Sequence, residues 1–448
     1  MGSKLTPWLQ NEWVDTTWGE LVELKYGKAL KDYKGKTSGH PVFGTNGPVG
    51  FNETPLCDFP SVIIGRKGAY RGVHYSEVPF YVIDTAYFVV PKFDINLRWA
   101  YYELLQQDIN GLDSGSAIPS TRREDFYALR VKVPPRFIQD GIANLLDSFN
   151  NKITLNRQIN QTLEQMAQTL FKSWFVDFNP VIDNALDASN PIPDELQHRA
   201  EARKVVRESE GFKPLPDEVR QLFPDAFEES ELGWVPKGWV MKAVSDALTI
   251  NPKVQLSKGQ NAHFVDMKAL PTSGYSIEEV IHKAFSGGAK FEQNDVLLAR
   301  ITPCLQNGKT GFVDFLGEGE VGFGSTEFIV LRGDKDVHHT YIACLARHEK
   351  FRQHAMQSMV GSSGRQRVQN SCFDDYFIAV PTDDVMKKFA QMTKPSFDKF
   401  KANTAESIAL AELRDTLLPK LISGELRLDD VEAAVEQETV SAEQQNER

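Results

Sequence analysis

The chain has 448 residues, 41% apolar and 25% charged, which is the composition of a globular protein of about three domains at ~150 residues each. Its 50 basic and 61 acidic side chains leave a net charge of −11, at first sight an argument against a nucleic-acid partner. No apolar run approaches the ~20 residues of a membrane-spanning helix and no apolar leader is read at the start. The four cysteines, Cys57, Cys304, Cys344 and Cys372, form no C-x-x-C pair and are too few for a disulfide framework, so the expected compartment is the reducing cytoplasm.

From the N-terminus, Trp13-Val14 leads into short apolar runs bounded by Gly, Pro and Asn, which predict strands at 41–43, 61–64 and 81–90. Glycine-rich polar loops separate them: Gly44-Thr45-Asn46-Gly47 and Arg66-Lys67-Gly68-Ala69-Tyr70-Arg71. Ile138, Ile142, Leu145, Phe149, Ile153, Asn156, Ile159, Leu163, Met166, Leu170 and Trp174 then advance by threes and fours, a helical stripe of coiled-coil type. At ~1.5 Å per residue this is a rod of about 50 Å.

Residues 177–233 hold fourteen acidic against six basic side chains, a net −8, with Pro180, Pro191, Pro193, Pro214, Pro216 and Pro224 spread along them. An extended, turn-rich passage between domains is expected there. Strands follow at 295–300, 310–315 and 326–331, with loops at Arg300-Ile301-Thr302-Pro303-Cys304-Leu305-Gln306-Asn307-Gly308-Lys309, Gly324-Ser325-Thr326 and Gly361-Ser362-Ser363-Gly364-Arg365-Gln366-Arg367. A second stripe, Phe389, Met392, Phe400, Asn403, Leu410, Leu413, Leu417 and Leu421, predicts another long helix, with a kink or restart at Pro395. The tail 425–448 carries eight acids against two bases and no aromatic residue, and disorder is expected. With connector and tail set aside, the body of the chain is +3.

The two halves repeat. Phe126, Leu129, Val131, Val133 and Pro134 match Phe373, Tyr376, Ile378, Val380 and Pro381 at a constant offset of 247, which also carries Asn156, Leu163, Met166 and Leu170 onto Asn403, Leu410, Leu413 and Leu417. Upstream, Val62-Ile63-Ile64-Gly65-Arg66 resembles Val296-Leu297-Leu298-Ala299-Arg300, Thr85-Ala86-Tyr87 resembles Thr326-Glu327-Phe328, and Trp13-Val14 resembles Trp239-Val240. Each half is a β-rich globule running into a long helix, and the two stripes most simply bury against each other. Asn156 and Asn403 hold equivalent seam positions, where a polar residue fixes register at some cost in stability.

Motifs for chemistry fail. Gly317-Glu318-Gly319-Glu320-Val321-Gly322 fits a dinucleotide fingerprint, but a strand-like run follows it and two carboxylates would face the phosphates. Gly308-Lys309-Thr310 lacks the first glycine of a phosphate loop, because Pro303 stands there. His338-His339 has no second ligand pair at zinc spacing and is expected in a surface turn. What remains are side chains suited to phosphates and base edges: Thr45, Asn46, Arg66, Lys67, Tyr70 and Arg71 in the first half, and Arg300, Thr302, Gln306, Asn307, Lys309, Ser325, Thr326, Arg365, Gln366 and Arg367 in the second.

The helix-end stretches LFKSWFVDF (170–178) and LLPKLISGEL (417–426), with the paired Trp-Val starts, Gly65-Arg66-Lys67-Gly68, ARITPCLQNGK (299–309) and GSSGRQRV (361–368), resemble the specificity subunits of type I restriction-modification enzymes over 13–426. The resemblance implies an α+β fold with two target-recognition domains, 1–136 and 234–382. Each runs into a conserved helix, 137–176 and 383–424, and the pair forms an antiparallel coiled coil with approximate two-fold symmetry. It implies a non-catalytic subunit reading a bipartite site in double-stranded DNA. Two modification subunits, carrying S-adenosylmethionine for adenine methylation, would dock on the helices through positions such as Asn156, Leu163, Met166, Leu170, Trp174, Asn403, Leu410, Leu413, Leu417 and Leu421. Restriction subunits using ATP and magnesium would complete the nuclease; no cofactor or metal is expected on this chain. Two alternatives stay open at this point: a DNA-independent coiled-coil scaffold, and a stand-alone methyltransferase or nuclease with an unrecognised site.

Overall fold

The structure, a computed structural model, describes residues 12–112, 119–362 and 364–430; most of the expected acidic tail lies outside these residues. The chain forms two compact units, one of Met1–Ile153 with Ala409–Arg448, the other Thr154–Ile408. No helix among the described residues is long and apolar enough to cross a membrane.

The first unit holds β1 (Val14–Thr17), β2 (Val22–Tyr26), β3 (His40–Gly44), β4 (Gly47–Asn52), β5 (Ser61–Gly65), β6 (Val73–Ser76), β7 (Tyr81–Val82), β8 (Ala86–Pro91) and β9 (Arg130–Val133). An antiparallel sheet β2-β8-β5-β6 packs on a smaller sheet β4-β3-β7, and β1 pairs with β9. The uninterrupted apolar run of β5 follows from burial on both faces. Val62 and Ile64 enter a core with Trp18, Trp99 and Phe126, whereas Ile63 faces Phe43, Phe80 and Phe88. That first core also takes in Ile142 and Leu146 from the start of the first long helix (Arg136–Phe171) and Leu418, Leu421 and Ile422 from the end of the second (Asp383–Ser423). Asn150 accepts from Arg414 across the same helix pair at 2.8 Å.

The second unit adds β10 (Phe227–Ser230), β11 (Gly233–Pro236), β12 (Val240–Ala243), β13 (Thr249–Ile250), β14 (Asn261–Val265), β15 (Ile281–Ala284), β16 (Ala289–Glu292), β17 (Val296–Ala299), β18 (Thr310–Phe312), β19 (Val321–Gly324), β20 (Phe328–Arg332) and β21 (Phe377–Val380). Its sheet β13-β20-β17-β18 reproduces β2-β8-β5-β6, and the β12–β21 pair reproduces β1–β9, with Val240 opposite Val380 as Val14 is opposite Val133. The second sheet, β15-β14-β19-β16, has one strand more than its counterpart. β17 is again buried on both faces: Val296 and Leu298 turn to one core, Leu297 and Ala299 to the other.

Within this unit the later part of the first helix runs antiparallel to the earlier part of the second: Asn156 meets Asn403 and Ser407, while Phe171 and Trp174 meet Phe389. Asn156 donates to Asn403 O and Ser407 Oγ at 3.4 and 3.3 Å, and Asn403 donates to Asn160 Oδ1 at 2.8 Å. Asn160 and Ser407 are themselves repeat mates at the offset of 247, so the two halves supply matching halves of one polar contact.

Four expectations are corrected. Residues 177–233 are folded, not extended: helices Asn179–Ala188 and Gln197–Arg207 and the β10–β11 hairpin bury Phe178, Val181, Val219, Phe223 and Val235 around Trp174 and Trp239. Pro180 lies in the first turn of a helix and Pro216 caps one, where proline's fixed φ assists initiation, and Asp183 is held by Arg203 at 2.7 and 2.9 Å. The second long helix does not restart at Pro395 but continues through it, with Phe389, Phe397 and Phe400 buried on either side of the proline. Met166 and Leu413 are 60% and 43% exposed and do not lie in the seam; Ala167 is buried beside Met166, and Leu418 is more buried than its neighbour Leu417. A stripe spaced by threes and fours leaves such neighbours undecided. Lastly, Thr85-Ala86-Tyr87 aligns with Glu327-Phe328-Ile329, because Ile64 pairs with Tyr87 and Leu298 with Ile329. A one-residue slip exchanges the faces of a strand, so the repeat is read correctly only from its pairing.

Candidate DNA-recognition surface

The same backbone frame is built at the end of β5 and of β17. Arg66 N–H donates to Thr85 O at 2.8 Å and Arg66 O accepts from Thr121 N–H at 2.9 Å. Arg300 N–H donates to Glu327 O and Arg300 O accepts from Val368 N–H, both at 2.9 Å. Thr121 and Val368 stand 247 apart, so the register read along the helices reaches back into these loops. Matching bridges join Lys67 to Ser120 and Ile301 to Arg367. A fixed frame with different side chains is what two readers of different sequences require.

In the first domain the frame gathers the β3–β4 turn and the 66–71 loop: Gly72 N–H donates to Thr45 O and Gly68 N–H to Pro119 O, both at 3.0 Å. With its amide nitrogen turned toward them, Asn46 donates to Tyr70 O and Thr45 O at 2.6 and 3.2 Å. Tyr70 is 66% exposed, and Asn46 and Lys67 are also exposed. The Arg66 guanidinium stacks on Tyr26 at 4.8 Å, and Arg123 lies over the same ring at 4.5 Å, so one aromatic side chain organises two cations. Arg71 departs from expectation. It is 2% exposed and donates to Gly68 O, Ile109 O and Asn110 O, the last at 2.6 Å, so it holds loops together and cannot reach DNA.

In the second domain Thr302 and Gln366 exchange hydrogen bonds, Thr302 N–H to Gln366 O at 3.0 Å and Gln366 N–H to Thr302 Oγ1 at 3.1 Å; Thr302 is buried and acts as a brace. Arg367 forks onto Glu327 with Nε and Nη2 at 2.9 and 2.6 Å, and this bond holds the Glu327 carboxyl below the usual range. Ser325 Oγ accepts from Glu327 N–H at 3.2 Å, while Thr326 and Arg365 are exposed. Arg300 donates from Nη2 to Val368 O at 2.9 Å. Lys309 is diverted, its ammonium bound to Met267 O and Lys268 O at 2.8 and 3.1 Å. Gln306 and Asn307 are exposed on a loop that Arg347 holds through Gly308 O at 2.7 Å, and no described hydrogen bond ties their side chains to the Arg300 frame.

Tyr26, Arg123, Glu327 and Ser120 were not singled out from the sequence. The repeat pointed to their neighbourhood, but their partners are far along the chain. The other tempting motifs are structural. Glu320 of the glycine-rich stretch accepts from Gly317 N–H at 2.9 Å and leads into β19. His338 caps the helix His339–Arg347 instead of lying in a surface turn, and burial drives His339 down to about 3. Among the described residues no group of three or more His, Cys, Asp or Glu could hold a metal ion.

Two β-rich domains, each closed by a strand pair and continued by a long helix, with an arginine fixed at the same strand end in both, define an internally duplicated two-domain protein. Residues 10–165 match the family described as the type I restriction modification DNA specificity domain. The chain is 25% identical over 386 residues to the type I restriction enzyme HindI specificity subunit of Haemophilus influenzae, covering 78% of this chain and 82% of that one. It is 22% identical over 353 residues to the MjaIX specificity subunit of Methanocaldococcus jannaschii, covering 77% and 72%. The S subunit of a type I restriction-modification system from M. genitalium has the same fold, with a TM-score of 0.57 at 15% identity over 94% of this chain and 99% of that one. The match to the specificity-domain family lies within residues 10–165, and over most of its length the chain is similar to type I restriction enzyme specificity subunits.

Proposed function

We infer that this chain is the non-catalytic subunit that gives a type I restriction-modification complex its DNA sequence specificity, with each domain reading one half of a bipartite, asymmetric site. The observation that carries the reading is the duplicated Arg66 and Arg300 frame, whose backbone bonds agree while the surrounding side chains differ: Tyr26, Thr85 and Ser120 in one, Glu327 and Arg367 in the other. Exposed arginine, lysine, asparagine and glutamine on a rigid frame can make paired hydrogen bonds to base edges and contacts to phosphates.

The partners belong to the same reading. Two modification subunits, which would hold S-adenosylmethionine, dock on the helices, where the repeat-related Met166 and Leu413 present exposed apolar surface; restriction subunits would bring ATP and magnesium. Free thiols at all four cysteines suit the cytoplasm. A body of near-neutral charge leaves much of the phosphate neutralisation to partners, so the isolated chain is expected to bind DNA weakly. The test is methylation mapping of the host genome with and without this chain, followed by binding of the assembled complex to the mapped site and to a scrambled duplex. A two-part methylated motif that vanishes with the chain, and a clear preference for that duplex, are expected. Assembly without sequence preference would instead indicate a scaffold, and turnover by the chain alone an enzyme.

A further inference from the structure

A lysine-rich segment of the first domain lies outside the readout loops. The connection between β2 and β3 carries Lys28, Lys31, Lys34 and Lys36 with Asp32 as its one acid, and Lys25 lies near the end of β2. Lys25 pairs with Glu23 and Lys36 with Glu53, whereas Lys28, Lys31 and Lys34 are exposed and form no ion pair among the described residues.

This strap is pinned in place. Gly27 N–H donates to Ala86 O and Lys28 N–H to Val82 O, at 3.1 and 2.9 Å, and Tyr33 O accepts from Phe51 N–H of the β3–β4 hairpin at 3.3 Å. Gly50 permits that last approach: a Cβ there would stand 2.1 Å from Tyr33 O. The strap leaves β2 at Tyr26, the ring shared by Arg66 and Arg123, so it borders the recognition frame of the first domain. The corresponding connection in the second domain, between β13 and β14, has only Lys253 and Lys258 and turns Leu256 inward.

We propose that the strap is a DNA-backbone clamp, in which Lys28, Lys31 and Lys34 contact phosphates flanking the half-site read by the first domain. Lysine ammonium groups on long stems suit this work: they neutralise phosphate without reading sequence. A backbone pinned at Gly27, Lys28 and Tyr33 holds the three charges on the first domain before DNA arrives. The clamp has no equal in the second domain, so the two halves of the site contribute unequally to salt-dependent affinity. This rests on the reading of the chain as a DNA-specificity subunit.

The experiment uses the full chain assembled with its modification subunits, as parent, as the triple variant K28Q/K31Q/K34Q and as K28R/K31R/K34R. Affinities for the duplex found by methylation mapping and for a scrambled duplex are measured over a range of salt. The glutamine variant is expected to weaken both duplexes by the same factor. Its slope of log affinity against log salt should be shallower by up to about 2.7, at ~0.9 per phosphate contact, and the arginine variant should restore it. Unchanged slopes and affinities would overturn the clamp, as would weakening confined to the mapped duplex or a loss of complex assembly, which would place the strap against bases or against a protein. If the parent complex itself fails to prefer the mapped duplex, the underlying reading fails instead, and the two failures are distinct.

Discussion

Arg71 and Arg367 are both arginines of basic, glycine-rich loops, and their depth gives them different work. Arg71 spends its guanidinium on three carbonyls inside the first domain, so Arg71→Ala should cost roughly 2 to 4 kcal/mol of unfolding free energy. Denaturant melts of the full chain would detect this, and any loss of DNA binding should follow the loss of fold. Arg367 is 45% exposed and fixed by Glu327, which aims its fork without burying it. Nothing in the spacing of a loop discloses which of its arginines turns inward, and for that reason the sequence could nominate both and separate neither. Glu103 was equally hidden. It is buried with Trp18 Nε1 donating to it at 3.1 Å, and burial pushes its carboxyl from 4.5 up to about 7. A raised carboxyl favours the protonated fold, so its contribution is fully present below pH 4.5, is lost as pH climbs through about 7 and is flat above. Glu103→Gln should remove a pH-dependent loss of the order of 3 kcal/mol, read as the difference between variant and parent in unfolding free energy across that window. A difference that does not change with pH would refute the assignment.

The strands and long helices were the most legible elements, for identifiable reasons. A strand buried on both faces leaves an unbroken apolar run, as at Val62-Ile63-Ile64, and a helix with one buried face leaves a stripe of threes and fours. The repeat extended that legibility to the site, because the match of Val62–Arg66 with Val296–Arg300, at a smaller offset than the helices show, placed Arg66 and Arg300 at equivalent strand ends. It failed where spacing is ambiguous: between Met166 and Ala167, and at the single-residue slip beside Glu327. The proline-rich stretch was misread because proline's effect depends on position, breaking a helix interior and starting a first turn. Both long helices pass from one compact unit to the other, so residues inserted within either should change the preferred spacer between half-sites while leaving the half-site sequences as they were. Methylation mapping of insertion variants checks this, and altered half-sites with an unchanged spacer would contradict it.

At the scale of the whole molecule, the net charge of −11 is a poor guide to partners because its acids are concentrated. Residues 177–233 neutralise part of their own acidity, with Asp183 bound by Arg203 and Asp187 by Arg207 and Arg220. That these residues are folded also decides where the molecule can be cut. Composition suggests joining a foreign recognition domain at residue 234, just past the prolines. Such a graft would part Phe178, Val181 and Phe223 from Trp239 and Val244, opening the largest core of the second unit, and should melt early and bind a hydrophobic dye. A graft of Thr154–Ile408 keeps that core whole and should melt as the parent does. The transferable cassette therefore begins and ends inside helices, and an exchange of specificity that keeps the core whole needs two crossovers in helical sequence, one in each long helix.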